Sequence, residues 1–239
     1  MNNVVLTGPT RGLGLAIARQ LIDDKYKVIG VGRKLTKDYQ LLINTSEGNA
    51  CFIEYDLENL EGIPQLISTI TKQHGSIYGL VNNAAIGLDG VLATMHSSDI
   101  TKSLKVNLEA PILLSKFAAR SMLLNKTGRI INISSIIAST GFNGLSVYAA
   151  SKAGLVGFSR SLSRELGRAG ITVNCVAPGF MVTDMTAALK GDKFESVRRR
   201  APLGLAHVED AAAAVSYLLS ESGKRITGTV LTVDGGSTA

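Results

Sequence analysis

The sequence predicts an α/β protein with a doubly wound, seven-stranded parallel sheet, and three observations support this prediction. Short runs of β-branched residues alternate with longer helical stretches along the chain of 239 residues. Most of the short runs are apolar throughout, which is typical of strands that are buried on both faces. A glycine-rich turn follows the first run and opens the first helical stretch. Since strands that alternate with helices form parallel sheets covered on both faces, we expect one doubly wound fold.

The predicted elements follow one another without a break that would mark a second domain. Strands are expected at residues 4–6, 28–31, 51–55, 79–81, 129–133, 171–176 and 229–233. Helical stripes of apolar residues are expected at Leu13, Ala16, Ile17 and Leu21, at Ile63, Leu66, Ile67 and Ile70, at Val156, Leu162 and Leu166, and at residues 211–219. We therefore expect residues 1–239 to form a single domain. Its least regular stretch, residues 180–205, is either a lid over a substrate site or a plain surface excursion.

Composition and charge exclude several classes of protein. Hydrophobic residues make up 45% of the chain and charged residues 18%, which is typical of a globular protein. The net charge of +6 permits an anionic partner, such as a phosphorylated cofactor or an acidic protein. Basic residues are scattered apart from Arg198, Arg199 and Arg200, and only 5% of residues are aromatic. Both facts argue against nucleic-acid binding.

The spacing of cysteine, histidine and apolar residues bears on the cellular compartment. Cys51 and Cys175 lie far apart in apolar surroundings, as reduced thiols of a cytosol-like compartment do. The three histidines have no ligand spacing, so we expect no metal site. No apolar run is long enough for a membrane span, and the first residues lack the basic segment of a secretory signal. We therefore expect a cytoplasmic protein that binds neither membranes nor nucleic acid.

The turn after the first strand has the composition of a phosphate-binding loop. Glycines at positions 8, 12 and 14 permit a tight turn and a close approach to a pyrophosphate at the N-terminus of the first helix. The spacing Gly-x-x-x-Gly-x-Gly differs from the commoner Gly-x-Gly-x-x-Gly. The loop residues expected to contact the nucleotide are Gly8, Thr10, Arg11, Gly12, Leu13 and Gly14. The position between a strand and a helix favours a Rossmann-like nucleotide site over a purely structural turn.

The end of the second strand favours NADP(H) over NAD(H) as the cofactor. An NAD site usually carries Asp or Glu at this place, where the carboxylate binds the ribose hydroxyls. This strand instead runs into Arg33 and Lys34, without a carboxylate. Arg33, together with Arg11 in the glycine loop, is placed to pair with a 2′-phosphate. The alternative is a pair of solvated arginines near a basic turn.

Tyr148 and Lys152 lie four residues apart in a predicted helix and therefore share one of its faces. A cation beside a phenol lowers the phenol pKa from its usual value of about 10. We therefore expect Lys152 to lower the pKa of Tyr148, so that the phenol exchanges a proton near neutral pH. A bare Tyr-x-x-x-Lys pattern also arises by chance, so its meaning depends on the other motifs.

Together these motifs resemble those of the short-chain dehydrogenase/reductase family over nearly the whole chain. The matching pieces, in the family's order, are residues 7–14, Asp56, residues 82–85, Asn107, Ser135, Tyr148 with Lys152, and Pro178 with Gly179. The resemblance implies that Ser135 binds the substrate carbonyl, because the family's spacing selects it over the alternative Ser134. It implies that Tyr148 donates the proton and that Lys152 also holds the nicotinamide ribose. Asn107 would anchor a water that relays protons to Lys152.

The resemblance also implies contacts with the adenosine half of the cofactor. Asp56 would bind the adenine amino group, with Leu57 beside the ring. The alternative for Asp56 is a helix N-cap, and both roles can hold because a helix begins nearby. Asn83 would brace the sheet and contact the adenosine ribose, next to Ala84. Ala85 stands where the family usually has glycine, which implies a small change of geometry near the cofactor. The contacts implied at the nicotinamide end are Pro178, Gly179 and Thr183.

Within that family, residues 146–159, 170–180 and 182–186 are most similar to 3-oxoacyl-acyl-carrier-protein reductases. The similarity implies NADPH-dependent reduction of a 3-oxoacyl thioester, as in fatty acid biosynthesis. It also implies a basic rim that binds an acidic carrier protein. Arg129 matches one arginine of that rim, while the second falls on Ala169, next to Arg168. An acyl-CoA ester therefore stays open as the substrate.

Two other functions and an assembly also follow from the resemblance. An NADP-dependent dehydrogenase of another small alcohol, sugar or steroid would share much of this pattern. A non-catalytic NADP-binding partner or sensor is a further alternative, although all four catalytic positions are occupied by Asn107, Ser135, Tyr148 and Lys152. The family resemblance also implies a homotetramer, built on helices around residues 98–124 and 148–168 and on the C-terminal edge.

Overall fold

The structure is a computed structural model that describes residues 1–183 and 191–239, with the backbone alone at residues 192 and 193. The strands of the described part are β1 Asn3–Thr7, β2 Lys27–Gly32, β3 Ala50–Glu54, β4 Ile77–Asn82, β5 Gly128–Ile133, β6 Ile171–Pro178 and β7 Val230–Val233. They form one parallel sheet in the order β3-β2-β1-β4-β5-β6-β7. The predicted α/β fold with a seven-stranded parallel sheet is therefore confirmed.

Helices connect the strands and cover the sheet. They are α1 Gly12–Asp23, α2 Lys37–Thr45, α3 Ile63–His74, α4 Ser97–Leu104, α5 Ala110–Asn125, α6 Ile137–Thr140, α7 Ser146–Leu166, α8 Asp192–Arg199 and α9 Val208–Leu219. The chain adds β2 and β3 on one side of β1 and then crosses to β4 on the other side. This reversal opens a crevice at the carboxyl ends of β1 and β4, which is where open α/β sheets bind their ligands.

Two apolar layers fix the helices on the sheet, because side chains of each strand alternate between its faces. Val5 faces a cluster that includes Ile63 and Ile70 of α3, whereas Val4 and its second neighbour Leu6 face a cluster that includes Leu21 of α1. All of these side chains are fully buried, and each such burial is worth about 1.5–3 kcal/mol. The predicted stripes of α1, α3 and α9 therefore face the core.

The predicted stripe of α7 is only partly right. Leu166 is buried, but Val156 and Leu162 are half-buried, and serines together with Lys152 occupy much of the buried face. The hydroxyl of Ser159 donates to the carbonyl of Leu155 at 2.7 Å, so this polar group is satisfied before it packs against the sheet. A pattern of apolar residues cannot identify such a face.

The long helix expected around residues 98–124 is divided. Between α4 and α5 lies a π-helical segment, Lys105–Glu109, in which the amide of Ala110 donates to the carbonyl of Lys105. Leu108 of this segment packs on α7 at Gly154, where a Cβ would lie 3.0 Å from the leucine side chain. Single π turns are rare and often mark functional sites. This one brings Asn107 into the interior.

Candidate active site

One cavity of about 840 Å³ lies at the carboxyl ends of the central strands. It brings together every predicted site residue except one. The predicted residues that line it are Gly8, Thr10, Arg11, Gly12, Leu13, Gly14, Arg33, Asp56, Leu57, Asn83, Ala84, Ser135, Tyr148, Lys152, Pro178, Gly179 and Thr183. The exception is Asn107, which lies behind the wall, next to the lining residue Val106. Predictions from distant parts of the chain therefore converge on one place.

The glycine loop has the conformation that its composition predicts. Gly8 and Gly12 have φ values of +65° and +50°, a region that residues with a Cβ rarely adopt. A Cβ on Gly14 would collide with the carbonyl oxygen of Gly8, so the loop folds closely over the start of α1. The position before the helix is Arg11, whose side chain does not cap the first turn within the described structure. Gly12, Leu13 and Gly14 of that turn line the cavity, so the start of the helix suits an anion there.

Asn83 and Thr7 hold the glycine loop against the end of β4. The Asn83 Nδ2 donates to the carbonyl oxygens of Thr7 and Gly8, each at 3.0 Å. The Thr7 hydroxyl oxygen accepts from the amides of Asn83 and Ala84, also at 3.0 Å. These four bonds join the two strands that flank the switch point, which is the bracing that was predicted for Asn83.

The adenosine end of the cavity is basic. Arg11, Arg33 and Lys34 are exposed and line it, and no carboxylate among the described residues pairs with them. β2 ends at Gly32, and the acid across from it, Glu54, does not line the cavity. Unpaired guanidinium groups in a ligand cavity suit a phosphate.

Asp56 lines the cavity and does not cap a helix, so the alternative of a helix N-cap is wrong. Its Oδ1 accepts from the amide of Glu58 at 3.0 Å in a turn, and α3 begins only at Ile63. Glu58 is engaged with Lys102 at 2.8 Å, which neutralises one of the acids at this end. The Asp56 carboxylate keeps its second oxygen for a ligand, since no described residue donates to it.

The two serines after β5 face different ways. Ser135 lies close enough to Tyr148 for its hydroxyl to lower the phenol pKa, and its Oγ accepts from the amide of Ile137 at 3.2 Å. Ser134 is buried and donates to the carbonyl oxygen of Lys152 at 3.1 Å. Ser134 is therefore occupied in holding α7 to the sheet. The geometry agrees with the choice of Ser135 as the serine beside Tyr148.

Lys152 is almost completely buried, with 2% of its side chain exposed. Its Nζ donates to the carbonyl oxygen of Ile133 at 2.8 Å and lies 5.6 Å from the centre of the Tyr148 ring. Burial lowers the pKa of the ammonium from 10.5 to about 8. The Lys152 ammonium therefore loses its proton closer to neutral pH than an exposed lysine does.

The expected lowering of the Tyr148 pKa is wrong for the chain by itself. Burial raises the pKa of the phenol above 10.0, the neighbouring Ser135 hydroxyl lowers it, and the charge of Asp89 raises it further. Desolvation outweighs the hydroxyl because phenolate loses more hydration than phenol when it leaves water. Lys152 donates to the Ile133 carbonyl instead of to the phenol oxygen.

Asn107 joins the π-helical segment to the loop after β4. Its Oδ1 accepts from the amide of Ile86 at 2.8 Å, and its Nδ2 donates to the Ile86 carbonyl at 2.9 Å. The side chain is fully buried, and this reciprocal pair satisfies both of its polar groups. Asn107 thus fixes Ile86, a lining residue, and its second carbonyl lone pair is what a relay water would use.

The stretch predicted as a lid, residues 180–205, is described only in part, because residues 184–190 lie outside the described residues. Phe180 lines the cavity and meets Phe194 of α8 edge to face, with ring centres 5.8 Å apart. Thr183 lies by the glycine loop, since a Cβ on Gly12 would be 3.6 Å from it. Val197 and Arg200 also reach the cavity, so this stretch contributes to its wall.

Several residues that line the cavity carry no recognisable motif in the sequence. Asp89, Phe142 and Leu145 come from loops without a motif. Ser237 and Thr238 come from the C-terminal residues, where the Asp234 carboxylate accepts from both hydroxyls and from the amides of Gly236 and Thr238. These bonds lower the pKa of Asp234 although burial opposes them. The sequence signal for this turn is Asp234 followed by two glycines, Ser237 and Thr238.

Arg129 does not form part of a basic rim, so this prediction is wrong. Its side chain is 3% exposed. It lies at the N-terminal end of β5, whereas the cavity lies at the carboxyl ends of the strands. The guanidinium donates to the carbonyl of Gly128 at 2.9 Å and lies over the Tyr78 ring. Arg168 is exposed, but its turn, Gly167–Ala169, precedes β6 and therefore also lies near the N-terminal ends of the strands.

The thiols and other potential ligands show no arrangement for metal chemistry in the described part. Cys51 and Cys175 are not bonded to each other, and Cys175 is buried with its thiol 3.1 Å from the Ser159 hydroxyl. No cluster of three His, Cys, Asp or Glu side chains there is placed to hold a metal ion. Across residues 1–183 and 191–239, no helix has the length and apolarity that a membrane crossing requires.

Comparison with known proteins gives concordant results. Residues 8–238 match the family model described as enoyl-(acyl carrier protein) reductase. The chain is 41% identical over 233 residues to 3-oxoacyl-[acyl-carrier-protein] reductase FabG of Rickettsia typhi, covering 97% of this chain and 95% of that protein. It is 38% identical over 233 residues to the FabG of Escherichia coli, with the same coverage. A solved structure titled ElxO with NADP bound superposes with a TM-score of 0.90 at 30% identity, covering 99% and 98% of the two chains.

Proposed function

We propose that this protein reduces the keto group of a 3-oxoacyl thioester to a hydroxyl with NADPH. The chain belongs to the short-chain dehydrogenase/reductase family, whose members are oxidoreductases. One observation carries this proposal: Ser135, Tyr148 and Lys152 meet in the same cavity as the glycine loop. Relatives of 38% and 41% identity that are named 3-oxoacyl-[acyl-carrier-protein] reductases support the substrate class. The reaction is a step of fatty acid biosynthesis, and we place it in the cytoplasm.

The residues of the cavity fit NADP(H). The glycine loop and the first turn of α1 would hold the diphosphate, and Arg11 with Arg33 would hold the 2′-phosphate. The other residues proposed to bind it are Asp56, Leu57, Asn83, Ala84, Tyr148, Lys152, Pro178, Gly179 and Thr183. The left-handed glycines support this fit independently of the relatives, as do Arg11 and Arg33, which pair with no carboxylate of the described residues.

The chemistry needs one hydride and one proton for each keto group. NADPH supplies the hydride to the carbonyl carbon when it is bound. Ser135 donates a hydrogen bond to the carbonyl oxygen and stabilises the negative charge that grows there. Tyr148 gives its proton to the same oxygen, so that the product is the 3-hydroxyacyl thioester. Because Tyr148 by itself has a raised pKa, the neutral phenol is the acid that carbonyl reduction needs.

Lys152 and Asn107 restore the lost proton. The Lys152 ammonium is buried next to Tyr148 and has a pKa of about 8, so it can pass a proton to the phenolate at neutral pH. We propose that Asn107 anchors the water that reprotonates Lys152, through its remaining lone pair and the fixed Ile86 loop. Lys152 would also hold the nicotinamide ribose, as the family resemblance implies.

The description of the family model raises a second activity, reduction of the carbon–carbon double bond of an enoyl thioester. That reaction places the growing charge on the thioester oxygen, away from C3. Ser135 and Tyr148 lie side by side in the cavity wall, so both hydroxyls can reach a single carbonyl oxygen, which favours a ketone at C3. Supplying trans-2-butenoyl thioester in place of 3-oxobutyryl thioester separates the two activities.

The test follows NADPH absorbance after addition of 3-oxobutyryl N-acetylcysteamine thioester. Wild-type protein should consume NADPH, and Tyr148→Phe should lose about 10²-fold to 10⁴-fold in rate, because the acid is gone while the ring remains. Tyr217→Phe is the matched control, since Tyr217 is exposed on α9 and does not line the cavity. Absence of NADPH consumption with every 3-oxoacyl thioester would rule out the proposed substrate class, and a panel of alcohols, sugars and steroids would then identify the substrate.

A further inference from the structure

The end of α8 carries three consecutive arginines beside the cavity. Arg198, Arg199 and Arg200 are all exposed, and Arg200 lines the cavity. At about 100° of rotation for each residue, they fan over more than half of the helix end. This cluster comes from a different part of the chain than Arg11 and Arg33, which lie by the glycine loop.

Little negative charge balances this cluster. Arg198 pairs with Glu195 at 3.2 Å, and this pair is exposed. The Nε groups of Arg199 and Arg200 donate to the carbonyls of Glu195 and Ser196, at 3.4 and 3.3 Å. No carboxylate of the described residues pairs with either of these two guanidinium groups. The helix C-terminus tolerates cations, but three neighbouring charges still present a positive surface to solvent.

A large apolar side chain stands beside the arginines. Leu203 is 89% exposed, although its backbone is fixed. Its amide donates to the carbonyl of Gly235 at 3.0 Å, and the amide of Gly204 donates to the carbonyl of Ala201 at 2.9 Å. Leu203 and the three arginines that precede it in the sequence therefore form a patch with an apolar side chain and a charged rim, which is typical of protein contact surfaces.

We propose that Arg198, Arg199 and Leu203 form the docking surface for an acidic acyl carrier protein, whose thioester arm enters the cavity past Arg200. This inference rests on the proposed function. Charge complementarity selects the occupant, because an acidic protein would neutralise Arg199 and Arg200, which pair with no carboxylate of the described residues. The position also selects it: Val197 and Arg200, the neighbours of these residues along the chain, line the cavity, whereas Arg129 is buried and Arg168 lies near the opposite ends of the strands.

The test compares two substrates that differ only in the carrier. Steady-state kinetics are measured with 3-oxobutyryl-acyl carrier protein and with 3-oxobutyryl N-acetylcysteamine thioester, which has no charge and no protein. The double variant Arg198→Glu with Arg199→Glu should raise KM for the carrier substrate by about tenfold or more. Its kcat and KM for the small thioester should equal those of wild type. Arg199→Glu alone, which leaves the Glu195 pair intact, should give a smaller rise in the same direction.

Matched controls separate docking from a general charge effect. Arg168→Glu changes an exposed arginine near the N-terminal ends of the strands and should leave both substrates unaffected. Leu203→Ser should weaken only the carrier substrate. Added salt should raise KM for the carrier substrate with wild type and have less effect with the double variant.

Several outcomes would overturn the docking surface. They are an unchanged KM for the carrier substrate, an equal loss with the small thioester, an equal rise with 3-oxobutyryl-CoA, or a changed oligomeric mass of the double variant. An effect of Arg168→Glu instead would move docking to the N-terminal ends of the strands. Failure of the proposed function is distinct, since wild-type protein would then fail to reduce the small thioester.

Discussion

Arg33 and Arg11 carry the choice of cofactor at the scale of single residues. Both are exposed in the cavity and lack a carboxylate partner among the described residues. We predict that Arg33→Ala raises the Kd of NADPH about 10-fold to 100-fold, because a charged hydrogen bond is worth about 1.5–3 kcal/mol. The Kd of NADH should stay unchanged.

Fluorescence titration of the two nucleotides measures this difference. Arg19→Ala serves as the control, since Arg19 is exposed on α1 but does not line the cavity. Equal weakening of NADPH and NADH by Arg33→Ala would show that the arginine does not contact a 2′-phosphate.

Lys152 makes the stability of the fold depend on pH. Its folded pKa of about 8 lies below 10.5, the value for an exposed lysine. Between these values the unfolded chain binds more protons than the folded chain, so the free energy of unfolding rises with pH. The rise in the free energy of unfolding begins at about pH 8 and is complete at about pH 10.5.

Comparison with Lys152→Met isolates that contribution. The wild-type free energy of unfolding, relative to the variant, should rise by on the order of 3 kcal/mol from about pH 7 to pH 10.5, at about 1.4 kcal/mol for each pH unit between the two pKa values. Urea unfolding at several pH values measures it. Lys72→Met, at an exposed site on α3, should follow the wild-type curve. Parallel curves for wild type and Lys152→Met would contradict a lowered pKa.

At the scale of elements, Asn83 couples the glycine loop to β4. Asn83→Ala would leave the carbonyls of Thr7 and Gly8 without the Nδ2 donor, so we predict a loss of about 1–3 kcal/mol in stability. NADPH affinity should fall as well, because the loop loses its brace.

Thermal unfolding and NADPH titration together check this prediction. Asn125→Ala is a control of the same chemistry, since its Nδ2 donates to the Ser121 carbonyl at 2.8 Å on an exposed part of α5. The brace would be dispensable if both variants behaved alike.

The strands and most helices could be predicted because their patterns are local. Apolar runs at residues 28–31 and 171–176 became β2 and β6, with the observed ends shifted by one or two residues. The π-helical segment could not be predicted, because it depends on Asn107 bonding Ile86 in a distant loop. The apolar stripe predicted for α7 was partly wrong, because Lys152 and several serines are buried on the side of the helix that faces the core.

The candidate site was predicted more completely than its electrostatics. Positions follow from motifs at strand ends, and all but Asn107 line the cavity. The direction of the Tyr148 pKa did not follow, because burial depends on the packed molecule and outweighs what spacing alone suggests. Arg129 was assigned to a docking rim from similarity, although its place at the start of a strand indicated the N-terminal ends of the strands.

At the scale of the whole molecule, we predict a homotetramer built partly on α5 and α7. Leu124 of α5 is 87% exposed, and Gly157 of α7 faces open space, where a Cβ would meet no atom within 4 Å. A helix face without side-chain bulk allows a second helix to approach closely. The sedimenting mass should therefore be four times the 25.2 kDa of the chain.

Gly157→Glu tests this assembly without disturbing the chain itself. The glutamate has room in the single chain, so the melting of each chain should remain cooperative while the sedimenting mass falls. A wild-type mass of a single chain, or an unchanged mass in the variant, would contradict an interface at α7.

We propose that hydride reaches a C3 ketone in this cavity while Tyr148 protonates the ketone oxygen. The most direct measurement uses NADPH deuterated at the transferred position with 3-oxobutyryl N-acetylcysteamine thioester, and mass spectrometry of the product. We predict a 3-hydroxybutyryl thioester with one deuterium on C3, and loss of this product in Tyr148→Phe. Absence of that product, or deuterium only in a saturated acyl product from 2-butenoyl thioester, would contradict the assignment.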